Sequence, residues 1–193
     1  PHHFRQLQNQ GIPLVLLHRS VESVSAPLIA MPYESVMRRA AQELLERGHR
    51  RIALLLSHRS EAGNRYIAAL RQRLIEAASG LPKELVHVGN SHCRMKGPAD
   101  PSGLEEIFQA IAGFLSLPDE LRPTAIIDPW DSDMEACYFM LTKAGIQIPK
   151  EMSLVSFGGA NRPNSLAKRL AAVTVDENST AKLTVQLLDE MRR

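Results

Sequence analysis

The sequence lacks the devices that hold a chain together without a packed core. Two cysteines, Cys93 and Cys137, in 193 residues are too few for a disulfide framework, and their unrelated surroundings fit a reducing compartment. No apolar run approaches the roughly 18 residues that signal a membrane span. The longest near the start, Ile12 to Leu17, is also too short for the apolar stretch of a signal peptide. Charge of one sign is missing too. Lys and Arg total 23 against 21 Asp and Glu, a net charge of +2, which excludes a histone-like or polybasic nucleic-acid binder. There is no internal repeat and no low-complexity tract.

What is present is globular: 44% hydrophobic and 23% charged residues argue against disorder, a collagen-like repeat or a coiled coil throughout. A length of 193 residues lies between one and two ordinary domains, enough to bury a core. The chain opens on Pro1 rather than Met and closes on Arg193 within what reads as an unfinished helix. It is therefore read as part of a longer protein, located in the cytoplasm and with no membrane association.

Strand-length apolar runs alternate with segments of helical period. Ile12–Leu17 reads as a strand covered on both faces, and Leu28–Met31 as a weaker one. From Glu34 to Arg47 the apolar positions Val36, Met37, Ala40, Ala41, Leu44 and Leu45 lie along one helical stripe, and Gly48 supplies the left-handed residue that ends such a helix. Ile52–Leu56 follows as a buried strand. The same alternation predicts a helix over about 61–78, a strand at Leu85–Val88, a helix capped by Ser102 with Glu105, a strand at Thr124–Ile127 and a helix at Asp131–Ala144. Strands at Ser153–Phe157 and Ala171–Val175 and a helix at Thr180–Met191 complete it. The fold class is α/β, a parallel sheet with helices on both faces. In such a sheet ligands gather at the carboxyl ends of strands, which directs attention to residues 57–65, 89–95, 128–133 and 157–163.

Signatures of catalysis are missing. Asp128, Asp131, Asp133 and Glu135 follow a strand, but Trp130 breaks any Asp-x-Asp beginning at Asp128, and Ala136 and Thr142 stand where a calcium loop needs Gly and Glu. His87, His92 and Cys93 lack the spacing of a zinc site. Gly158-Gly159 lacks the dinucleotide-binding pattern, and no G-x-S-x-G elbow occurs. The chain is therefore not read as an enzyme, and no catalytic residue, metal or cofactor is expected.

The run Gly145-Ile146-Gln147-Ile148-Pro149 through Ser153-Leu154-Val155-Ser156-Phe157-Gly158 resembles a segment of the effector-binding core of the LacI/GalR transcription regulators. Those proteins share the fold of the type I periplasmic sugar-binding proteins. Ala40–Leu45 leading into Gly48-His49-Arg50-Arg51-Ile52-Ala53-Leu54-Leu55, and Pro123–Ile127 followed by Trp130-Asp131, are similar in order and spacing. The resemblance covers nearly the whole chain. It implies two lobes of parallel sheet, the first formed by residues 1–56 and 160–193 and the second by 57–159, with the N-terminal strands and the DNA-binding module absent from the chain. It further implies a homodimer that binds a sugar-like effector between the lobes and DNA through the missing module. An exported sugar receptor of the same fold, serving transport, is the alternative; Gly48–Ile52 looks more like the regulators.

Arg65 matches the arginine with which the family holds its effector, and its planar fork suits vicinal hydroxyls or a carboxylate; otherwise it is a surface residue of the first helical turns. Arg59 matches a position some relatives use for acidic or purine effectors. Trp130 offers a face for a sugar ring or a base, or packs on its loop. Asp131 reads mainly as the residue that opens a helix, with ligand contact secondary. Departures are as informative. The acidic anchor the family places after the Ser153–Phe157 strand is replaced by Gly158-Gly159-Ala160-Asn161, with Asn161 as the substitute, and Ser91 stands where an aromatic is usual. Met31 replaces the usual aspartate ahead of the first helix.

Overall fold

The structure, a computed structural model, describes residues 2–18, 20–89, 101–159 and 170–192, without the side chains of 101–103, 159 and 175. Two compact units emerge, residues 1–32 with 176–193 and residues 33–175. The larger holds helix α2 (Tyr33–Glu46), β3 (Ile52–Leu56), α3 (Glu61–Glu76), β4 (Val86–Val88), α4 (Pro101–Ser116), β5 (Ala125–Asp128), α5 (Asp131–Lys143), β6 (Ser153–Gly159) and β7 (Ala171–Val175). The smaller holds α1 (His2–Asn9), β1 (Leu16–His18), β2 (Leu28–Ala30) and α6 (Glu177–Met191).

The five strands of the larger unit run parallel in the order β4-β3-β5-β6-β7. Every residue of β3 and β5 is buried, and alternation along each strand divides the side chains between two cores. Ile52, Leu54, Leu56, Ala125, Ile127, Val155 and Phe157 face a cluster with the α2 stripe and with Tyr66, Leu70 and Leu74 of α3. Ala53, Leu55, Ile126 and Leu154 face a second cluster with Ile107, Ile111 and Phe114 of α4 and Met134, Cys137 and Leu141 of α5. The α2 residues buried are those predicted from the stripe, and Gly48 closes that helix at φ +89°. Burying this apolar surface supplies the main stabilising term, at about 25 cal/mol per Å².

The lobe boundaries implied by the resemblance differ from this division. Residues 33–56 fall in the larger unit with 57–159, because the α2 stripe and the two faces of β3 are buried in its two cores. Residues 171–175 belong there because β7 pairs with β6 in register, Phe157 beside Val173. Two local expectations are also corrected. Strand β1 spans only Leu16–His18, paired among the described residues with β2 alone, and Ile12 and Leu17 are exposed. The helix predicted to follow Ser102 begins at Pro101, a residue whose missing N–H suits a first helical position, so Ser102 lies inside the first turn.

In the smaller unit, Gln8 donates to the Ser25 carbonyl at 2.7 Å and Arg5 to the Ser23 carbonyl at 3.4 Å. Asp176 caps α6 by accepting from the Ser179 N–H at 3.0 Å and its hydroxyl at 2.6 Å. No helix among the described residues is long and apolar enough to cross a membrane.

At the amino edge of the large sheet the half-buried His49 ring ties two strand starts together. Its Nδ1 lies 2.9 Å from Thr124 Oγ1 and its Nε2 3.0 Å from Ser153 Oγ. Burial, with Arg47 adding repulsion, holds the imidazole pKa below its ordinary value. The unfolded chain therefore takes up the proton first, and this contribution to stability, present above about pH 6.5, is lost as pH falls below it. Denaturant midpoints measured from pH 8 to pH 5 should decline below about pH 6.5 in the wild type. His49→Ala should cost about 1–3 kcal/mol at pH 8 and show a shallower decline.

Candidate functional site

The site follows from the strand order. Strand β3 is flanked by β4 on one side and by β5 on the other, and the chain leaves β3 and β5 toward opposite faces of the sheet, the kind of switch point beside which open parallel sheets bind ligands. The loop after β3 begins with buried Ser57, whose hydroxyl is 3.3 Å from His58 Nδ1. It continues through exposed Arg59 to Ser60, which caps α3 by accepting from the Gly63 N–H at 3.0 Å. Gly89, at the end of β4, closes against this loop: a Cβ there would lie 2.5 Å from the Ser57 carbonyl oxygen and 2.5 Å from Glu106 Oε2.

Arg65, in the second turn of α3, is at this edge with its side chain 42% exposed. Its Nε donates to Glu34 Oε1 at 2.6 Å and its Nη2 to Glu34 Oε2 at 3.2 Å, and its guanidinium carbon lies 5.4 Å from the centroid of the Tyr33 ring. Tyr33 meets Tyr66 edge to face at 5.3 Å, and Tyr66 meets Phe157 of β6 at 5.3 Å. The arginine thus rests on a chain of aromatic contacts reaching from α2 to the sheet. The bond from Arg65 holds the Glu34 carboxyl below the usual carboxylate range, and burial beside Tyr33 pushes the Tyr66 phenol far up.

On the β5 side of the switch point, the fully buried Asp128 ends β5 and accepts from the Trp130 N–H at 2.8 Å. That bond turns the chain into α5, with Trp130 as its extended cap residue and its ring part-exposed. Asp131 and Asp133 occupy the first turn of α5, where carboxylates meet the helix dipole favourably. Asp131 also presses on β6: a Cβ on Gly158 would lie 2.6 Å from its Oδ2. Burial, with Asp128 and Asp133 nearby, pushes the Cys137 thiol well up. Among the described residues no group of three or more His, Cys, Asp or Glu side chains could hold a metal ion.

Of the residues predicted from sequence, Arg65, Arg59, Trp130 and Asp131 therefore stand at one edge, on the loops and helices that leave two neighbouring strands. Asn161 and Ser91 lie outside the described residues. Glu34, Tyr33, Tyr66 and Phe157 escaped the sequence reading as site residues. Glu34 and Arg65 are 31 positions apart, and no local pattern links them.

Residues 41–193 match the model of the family described as periplasmic binding protein-like domain. Over 189 residues the chain is 23% identical to catabolite control protein A of Priestia megaterium, covering 96% of this chain and 53% of that protein. It spans about half the length of this curated relative. A transcription regulator from Lactobacillus plantarum superposes with a TM-score of 0.77 at 21% identity, covering 98% of this chain and 67% of that one. A LacI family transcriptional regulator from Lactobacillus casei, solved with bound sucrose, gives a TM-score of 0.73 at 17% identity, covering 97% and 67%. At these identities the structural likenesses establish the fold.

The two close glycines should respond differently to a methyl group. Gly89→Ala meets backbone and should cost about 1–3 kcal/mol in thermal or denaturant unfolding. Gly158→Ala meets only the end of Asp131, which can rotate, and should cost less while displacing that carboxylate, a difference a crystal structure of the variant would show.

Proposed function

The chain belongs to the periplasmic binding protein-like domain family, and on that premise we propose that it is the effector-sensing core of a LacI-like bacterial transcription regulator. The observation that carries this reading is the superposition of almost the whole chain on LacI family regulators, together with Arg65 standing at the carboxyl edge of the sheet. The effector is a small sugar or related metabolite. Arg65 donates to its hydroxyls, Trp130 lays its face on a ring, and Arg59 and Asp131 border the same edge. The Lactobacillus casei relative, solved with bound glucose and with bound sucrose, supports a saccharide as the first ligand class to try.

In the whole protein, a homodimer in the cytoplasm, effector binding favours one conformation of this core and so changes the affinity of a DNA-reading module outside these residues. A ligand shifts such an equilibrium only by its differential affinity for the two states. No catalysis enters this reading.

A thermal-shift screen of neutral saccharides should find a stabilising ligand, with a gain of about 2.7 kcal/mol at a concentration a hundred times its Kd. Arg65→Ala should abolish the shift and Trp130→Ala reduce it. A shift that survives Arg65→Ala refutes the site. Operator affinity of the full-length protein that does not change with the bound ligand refutes the regulatory role and leaves a receptor of the same fold.

A further inference from the structure

We propose that Glu34 is the specificity-determining residue of the Arg65 site: it occupies the side-on edge of the guanidinium, where a ligand carboxylate or phosphate would pair, and leaves the end-on edge to uncharged hydroxyls. The proposal rests on the reading of Arg65 as the ligand's donor. A guanidinium carries five N–H donors in a planar fork. Glu34 takes the Nε donor and one of Nη2 in a bidentate pair. Both Nη1 donors and the second of Nη2 remain, and the Arg65 side chain makes no other hydrogen bond among the described residues. One N–H from each terminal nitrogen matches the spacing of two vicinal hydroxyls. Tyr33 beneath the plane keeps the fork from turning. The pair carries no net charge, so an anionic ligand finds no Coulomb attraction and must compete with a carboxylate attached to the same chain.

Glu34 can be changed without undoing the helix pair that carries it. Arg38 and Glu76 join α2 to α3 at 3.0 Å, Arg73 donates to Gln42, and the buried stripe of α2 packs on Leu70 and Leu74. A loss of binding in a Glu34 variant would therefore be separable from a loss of fold.

The test uses inorganic phosphate as the probe and the Arg65 Nε–H resonance of the ¹⁵N-labelled chain as the readout. Freed from its internal partner, Arg65 in Glu34→Gln should bind phosphate about fivefold more tightly than in the wild type, the scale of an exposed ion pair. Adding Arg65→Lys, which keeps the charge and loses the fork, should remove that gain. Equal phosphate affinity in wild type and Glu34→Gln, or a gain that persists with Arg65→Lys, overturns the proposal. The saccharide screen is independent of it: failure there removes the effector reading, whereas failure here leaves Arg65 as donor and removes Glu34 as its selector.

Discussion

Burial of β3 and β5 on both faces is the constraint on which the rest depends. A strand covered on two sides must place apolar side chains at every position, as Ile52–Leu56 does, and must have a helical layer above and another below. The layers are α2 with α3 and α4 with α5. Polar groups are driven to the strand ends, since a buried polar atom without a partner costs more than a hydrogen bond returns. The two edges then differ. The amino edge is closed by the His49 bridge to Thr124 and Ser153; at the carboxyl edge the chain leaves β3 and β5 toward opposite faces of the sheet.

The charged groups at that edge are held by contacts spanning several elements. Arg65 of α3 is oriented by Glu34 and Tyr33 of α2, and its aromatic support ends on Phe157 of β6. Asp128 of β5 sets the turn into α5 through Trp130, and Asp131 abuts Gly158 of β6. Side chains held in this way would lose less freedom to a ligand bound there, which is how preorganisation adds affinity without adding contacts.

Much of the fold was legible because its signals are local. The α2 stripe, the glycine that closes that helix, and the continuous apolar run of β3 each lie within a few consecutive residues, and each formed as read. The failures were also local in origin. Ile12–Leu17 has the composition of a doubly covered strand, yet Leu16–His18 pairs among the described residues only with β2. Ser102 has capping spacing to Glu105, yet Pro101 already begins the helix. The positions of Arg65, Trp130 and Asp131 beyond the ends of β3 and β5 could be read from sequence, because the order of strands and helices is local; that the carboxyl ends of a parallel sheet are a general address for ligands is what makes them candidates. Glu34 could not be found so, since its importance comes entirely from a partner 31 residues away.

The sequence by itself determined the α/β class, the order of elements and the edge at which to look, because continuous apolar runs of strand length, the 3.6-residue helical period and glycine's access to positive φ are properties of short segments. Only the tertiary structure decided that residues 33–56 join the larger sheet, that His49 bridges the starts of β5 and β6, and that Arg65 is already committed along one edge of its guanidinium. Those facts depend on which distant surfaces meet, and no window of neighbouring residues contains both partners.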